Sequence, residues 1–179
     1  MKIRLIILLL SFVFFVGCNN ETETVQLLTN SQRQHEIEAI TTTIKNYNKA
    51  TNARDWSALV NTLNDEVTFF GSDKGETSKD MAAFKETVKQ QWEDYTTFEY
   101  GTIQDVYVEM DNYGTFANVI YGVPLSVVSK YGVSEELFVI VQRTLKKDMK
   151  NDKWVICSGI LSIPRAEKPE ASLAKSVNK

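Results

Sequence analysis

Two carboxylates in a loop that contains two glycines, Asp73 and Glu76, and a scatter of tyrosines and tryptophans are the residues whose types could carry chemistry. A carboxylate facing an apolar site, with a phenol opposite, can remove a proton beside a carbonyl and stabilise the oxyanion that forms. Asp73 and Glu76, each with a pocket tyrosine as partner, are therefore the candidate catalytic residues. The competing reading is structural, and it carries more weight. Asp is a routine turn residue in a stretch such as Gly71-Ser72-Asp73-Lys74-Gly75, and Glu76 stands ahead of a helix whose dipole favours it. The single histidine, His35, adjoins a polar stretch and reads as solvated. One histidine and two cysteines, Cys18 and Cys157, are too few for a four-ligand zinc site, so no metal is expected. Neither GxxxxGK[ST] nor GxGxxG occurs, and no cofactor is expected. A net charge of −3 over 179 residues gives no basic face for nucleic acid.

The binding candidates are aromatic. Tyr47, Trp56, Phe70, Trp92, Tyr100 and Tyr121, with Ser158 and Ile160 from the last predicted strand, are the residues expected to line a ligand pocket. For most of them plain core packing is the simpler reading. An apolar cavity with few polar groups suits a small apolar or amphipathic molecule. Arg143 is a cation that can meet an anionic ligand, but its place late in a strand puts it at the solvent edge.

These side chains need elements to position them. Ile37, Ile40, Ile44 and Tyr47 recur at spacings of three and four, which predicts a first helix. Asp55 caps a second, with Trp56, Leu59, Val60 and Leu63 on its inner side. Val67–Phe70 has strand character. Ser78 or Asp80 caps a third helix, whose inner face is Met81, Phe84, Val88, Trp92 and Tyr95. From Phe98 the period becomes two, and strands are expected over 98–110, 115–128, 135–146 and 154–163. Phe98, Tyr100, Gln104, Val106, Val108 and Met110 share a face in the first of these. Ala117, Val119, Tyr121, Val123, Leu125 and Val127 share one in the second, where Pro124 marks an edge or a bulge. Leu137, Val139, Val141 and Leu145 share one in the third. In the last strand Trp154, Ile156, Ser158 and Ile160 lie on one face, and Val155, Cys157, Leu161 and Ile163 on the other. Both faces are apolar, so both need cover. Three helices cover one side of a four-stranded sheet, and the simplest cover for the other is a second copy of the chain. A homodimer through the outer sheet face is the expected partnership.

The chain opens with Lys2 and Arg4, then runs apolar from Leu5 to Val16 and ends at Gly17-Cys18. That run is shorter than the roughly 20 residues that span a bilayer and fits a secretory signal. The ending Phe15-Val16-Gly17-Cys18 resembles the bacterial lipoprotein signal, which implies lipid on Cys18, a membrane as partner and a place in the bacterial cell envelope. Residues 1–18 are thus read as signal peptide, 19–35 as a flexible tether, 36–165 as the domain and 166–179 as a polar tail.

Two helices, a strand, a third helix and then long antiparallel strands make an α+β order. With Arg54-Asp55-Trp56, the Phe70-Gly71-Ser72-Asp73 loop with Glu76, and Trp154-Val155-Ile156 running to Ser162-Ile163-Pro164, the chain resembles the SnoaL-like branch of the nuclear transport factor 2-like superfamily. The resemblance implies three N-terminal helices packed on a curved antiparallel sheet, a cone-like half-barrel with a pocket at its open end, often in a homodimer. It also implies that Asp73 and Glu76 lie near the pocket rim. Many relatives carry a histidine where this chain has Ile160, and a tryptophan and glycine where it has Thr77–Asp80. An inherited acid–base role therefore lacks its usual proton carrier. Three functions follow as expectations. The first is a membrane-anchored domain that binds a small apolar or amphipathic molecule. The second is a lyase or isomerase using Asp73 or Glu76 with a tyrosine. The third is a homodimeric assembly module. The first is preferred.

Overall fold

The computed structural model describes residues 26–71 and 76–164. Helix α1 (Asn30–Asn52) opens on Thr29, whose hydroxyl accepts from the Gln32 N–H while the Gln32 carboxamide accepts from the Thr29 N–H. This capping box satisfies two donors at the helix start. Residues 30–35, expected in the tether, are thus helical. Leu28 N–H donates to the Asn112 carbonyl at 2.9 Å, and Arg33 donates to the carbonyls of Met110 and Asp111 and to Asn112 Oδ1. Ile40, Ile44 and Tyr47 are buried, as their spacing requires.

Helix α2 (Trp56–Val60) is capped by Asp55, which accepts from the Ala58 N–H at 2.9 Å. Leu63, expected on that helix, instead opens strand β1 (Leu63–Phe70). Helix α3 (Met81–Asp94) is capped by Asp80 and buries Phe84 and Val88. Its last carbonyls have no partner within the helix. Arg54 supplies a donor there, bonding to the Trp92 carbonyl, and also bonds to the carbonyls of Tyr95 and Thr96 just beyond the helix.

The remaining strands are β2 (Thr77–Ser78), β3 (Tyr95–Tyr100), β4 (Gln104–Met110), β5 (Phe116–Ser129), β6 (Ser134–Asp148) and β7 (Lys153–Ser162). Their order is β2-β1-β7-β6-β5-β3, with β4 also paired to β5. The sheet is mixed, because β1 runs parallel to β7 while every other pairing is antiparallel. Curled around the helices, it makes the expected α+β half-barrel.

Two differences from the predicted strands matter for the site. The strand expected over 98–110 is two strands, separated at Gly101–Ile103 and both borne by β5. Pro124 sits opposite that gap, where Gly101 N–H reaches its carbonyl and no strand asks for the N–H that proline lacks. Inward alternation on β5 and β6 is as predicted: Tyr121, Val123, Val139 and Val141 are buried. On β7 it is not. Leu145 faces Ile156 but Thr144 faces Ser158, so Cys157 is an extra residue in the ladder. A bulge of one residue reverses every side chain beyond it. Trp154 and Ile156 remain inside, Gly159 is buried in their place further on, and Ser158 and Ile160 go to the outer face.

That outer face is apolar over a wide row. Tyr107, Ile120, Gln142, Ile160 and Phe70 stand side by side across β4, β5, β6, β7 and β1. All but Gln142 are exposed, as are Phe138 and Ile140 beside them. At the other end of the sheet Glu36 accepts from Lys147 Nζ and from Trp154 Nε1, tying α1 to β6 and β7.

Candidate ligand-binding site on the concave face

The concave face is built of rings from three helices and the sheet. Trp56 of α2 lies 6.2 Å from Phe84 of α3, Phe84 stacks on Phe69 of β1 at 4.5 Å, and Phe69 stacks on Tyr47 of α1 at 6.2 Å. Phe98 meets Tyr100 edge-on at 5.5 Å on β3. Such pairs stabilise by roughly 0.5–1.5 kcal/mol beyond their burial, so the wall is a stable part of the core.

A cation lies within this wall. Arg143 has the same parity on β6 as Val141 and Leu145, and it is only 3% exposed. It does not sit at the solvent edge, where the sequence placed it. Its guanidinium carbon lies 4.8 Å from the Tyr47 ring and 5.0 Å from the Phe69 ring. The glycine opposite it on β7, Gly159, makes this possible: a Cβ there would overlap both the guanidinium and the Phe69 ring. Glycine is needed for close approach here.

The charge has no ionic partner among the described residues. The ion pairs among the described residues are Lys130 with Asp94 and Lys147 with Glu36 and Asp152, and none involves Arg143. Burial opposes its charge, and the oxygens of Tyr121, Tyr47 and Tyr100 outweigh that opposition, so the guanidinium stays protonated. Those phenols are neutral as well. Burial raises all three, and the nearby guanidinium opposes the rise without cancelling it. Two ring contacts stabilise a cation by about 1–4 kcal/mol together, against an effective desolvation cost of several kcal/mol for the ion. The phenol oxygens make up the difference, and no carboxylate of the described residues contributes to it. Arg143 Nε has no hydrogen-bond partner among the described residues, and neither has Tyr121 Oη, which feels the guanidinium without forming an aligned bond to it. Trp92 Nε1 and both polar atoms of the buried Asn48 amide are likewise unpartnered. Buried polar groups are nearly always bonded, so each such atom is a place where something polar belongs.

The residues singled out from sequence divide into three sets. Tyr47, Tyr100 and Tyr121 are buried around Arg143, while Trp56 and Trp92 are half-buried at the edge of the same core. Phe70, Ser158 and Ile160 are not on the concave face; Phe70 and Ile160 pair across β1 and β7 on the outer row. Glu76 is exposed, its carbonyl accepts from the Gly71 N–H at 2.7 Å, and its side chain folds over Gly71. Asp73 and Cys18 lie outside the described residues. His35 is exposed on α1. Sequence reasoning passed over Asn48, Phe69 and Gly159, and it weighed Arg143 only to place it at the solvent edge. For Arg143 the signal was present, because the alternation that turned Val141 and Leu145 inward applies to it too. No group of three or more His, Cys, Asp or Glu side chains suited to a metal occurs among the described residues.

Residues 40–165 match the SnoaL-like domain family. The chain belongs to that family. No curated protein matches it significantly. Solved structures show the same fold for the SnoaL-like domain. A candidate scytalone dehydratase from Novosphingobium aromaticivorans superposes with a TM-score of 0.68 at 14% identity, covering 80% of this chain and 99% of that one. A nuclear transport factor 2-like superfamily protein from Salmonella enterica serovar Typhimurium gives 0.66 at 13%, covering 78% and 99%. The hexachlorocyclohexane dehydrochlorinase LinA-type3 from Novosphingobium barchaimii gives 0.67 at 13%, covering 81% and 97%. At such identities the likeness is one of fold. The SnoaL-like fold serves both ligand binding and elimination or isomerisation, so its concave face has to be read from its own residues.

Proposed function

We propose that this chain is a lipid-anchored protein of the bacterial envelope whose SnoaL-like domain binds a small amphipathic molecule on the concave face. The observation that carries this reading is an aromatic wall, from Trp56 to Tyr47, interrupted by buried polar atoms without partners. A mostly apolar site with a few fixed polar groups holds and orients a small molecule. The groups on that face are phenols, an amide, an indole N–H and a guanidinium. These bind well and are poor proton acceptors near neutral pH. The anchor rests on Lys2, Arg4, the apolar run after them and Gly17-Cys18. Native mass spectrometry of the chain from Asn19 onward, purified gently from cells, tests the binding reading. A retained small molecule supports it, and protein of bare polypeptide mass counts against it. Substitution Cys18→Ser tests the anchor: the protein leaves the membrane fraction if lipid holds it there, and stays if it does not.

A second reading concerns the outer face and has its own observation. The exposed row of Tyr107, Ile120, Ile160 and Phe70, with Phe138 and Ile140 alongside, is an apolar patch of the kind that marks an interaction surface. We propose that a second copy of the chain covers it. An apolar patch in the middle of a sheet can meet its own copy across a two-fold axis. Light scattering at tens of micromolar should give a dimer, and Ile160→Lys a monomer of unchanged circular dichroism. A monomeric parent protein removes this reading.

A further inference from the structure

Resting on the binding reading above, we propose that Arg143 is the receptor for a carboxylate, so that the ligand is an apolar, partly aromatic organic acid with one negative charge. Four observations converge on this. The guanidinium is nearly fully buried, and no carboxylate of the described protein pairs with it. Nε, one of the donors on its bidentate edge, has no partner. Tyr121 Oη, beside it, is also unpartnered and can donate to a carboxylate oxygen. Finally, the side chain is held in place: the stacked rings of Tyr47 and Phe69 both contact it, and Gly159 clears the space for it.

The chemistry selects among ligands. A planar guanidinium matches a carboxylate in two parallel N–H···O bonds, which a rigid and pre-placed Arg gives at little ordering cost. A neutral amide or alcohol leaves the buried charge uncompensated. A dianion brings a second charge that the three neutral phenols do not balance. Phe69 and Tyr47 flank the cation, and Phe84 stacks on Phe69, so the part of the ligand next to its charge should be flat or slender and apolar. Water can complete the bonds of Tyr121 or Asn48, but it carries no charge to set against Arg143.

The test uses the soluble chain from Asn19 onward with benzoate, phenylacetate and 3-phenylpropionate as probes, and their primary amides as neutral isosteres. At about 10 mM, a concentration that reveals weak millimolar binding, the acids should raise the melting temperature and the amides should not. Titration should give affinities at least about tenfold tighter for an acid than for its amide, the scale of a charge-assisted pair. Arg143→Met keeps the apolar stem and removes the charge. It should melt no lower than the parent, since removing an unpaired buried charge is neutral or stabilising, and it should lose the response to acids. If Arg143→Met melts far below the parent, Arg143→Lys decides, because a structural cation is partly restored by lysine whereas bidentate recognition is not. Equal response to acids and amides, an undiminished response in Arg143→Met, or no response to any acid overturns the proposal. A neutral molecule found bound by native mass spectrometry would overturn it while leaving the binding reading intact.

Discussion

Asn52 offers a clean quantitative test of how the concave face is held. It is the last residue of α1, and its amide bonds to both backbone groups of one β3 residue: Nδ2 donates to the Tyr100 carbonyl at 2.8 Å and Oδ1 accepts from the Tyr100 N–H at 2.9 Å. β3 is the edge of the sheet, so the side chain replaces a neighbouring strand for that residue. Asn52→Ala removes two neutral hydrogen bonds of about 1 kcal/mol each. The larger cost of stranding buried groups is not reached in full, because Asn52 is exposed and water can reach the freed atoms. The expected loss is therefore about 2 kcal/mol, or a fall in melting temperature of roughly 5–8 °C for a domain of this size. Urea unfolding followed by fluorescence, with the slope unchanged, measures it directly. Asn52→Asp adds a signature. Its carboxylate still accepts from the Tyr100 N–H but faces the Tyr100 carbonyl, so its deficit should shrink as pH falls toward about 4 and the acid gains a proton to donate. A loss for Asn52→Ala within about 0.5 kcal/mol of zero would refute the view that this amide serves as a strand partner.

Two further predictions concern the buried cation and its phenols. Gly159→Ala places a methyl where the guanidinium and the Phe69 ring lie, and should cost about 1–3 kcal/mol by overpacking. In an Arg143→Ala background that cost should shrink, since the two residues share one space; strictly additive losses in the double-mutant cycle would contradict the assignment. Burial raises Tyr47, Tyr100 and Tyr121, so the fold favours their neutral forms. Their contribution is present below the ordinary tyrosine value of about 10 and is lost as pH rises beyond it. In an absorbance titration these three of the seven tyrosines should ionise only together with loss of the circular dichroism signal. Ionisation of all seven while the fold persists would sink the idea.

How much of this was legible in the sequence depends on the distance over which each element is decided. The helices are fixed by local spacing and caps, so Ile40, Ile44 and Tyr47 and the roles of Asp55 and Asp80 could be read directly. Parity on β5 and β6 was equally local, and it held because each is an unbroken ladder along the other. The failures are non-local. Nothing near Leu63 announces a parallel partner in β7, far along the chain. The bulge at Cys157 depends on how β7 must serve β6 and β1 at once, and it moved Ser158 and Ile160 from the expected pocket to the outer face. Phe70 failed for a simpler reason, since in a run of two phenylalanines only one can point inward, and it is Phe69. Arg143 was misjudged by residue type: a charged side chain was assigned to solvent although its position in the alternation said otherwise. That rule of thumb is safe for cations with somewhere else to go. Here Gly159 and the flanking rings hold the guanidinium inside.

The clamp at the chain's entry has a mechanical consequence. Leu28 is bonded to Asn112, and Arg33 grips Met110, Asp111 and Asn112 at the turn between β4 and β5. A pull on whatever precedes residue 26 is borne first by this staple, with several bonds loaded together, and only then by the first turns of α1. The load passes into the long β4–β5 ladder and bypasses Tyr47, which lies more than three turns further along the helix. The concave face can thus keep its shape while the N-terminal end of the domain is under tension.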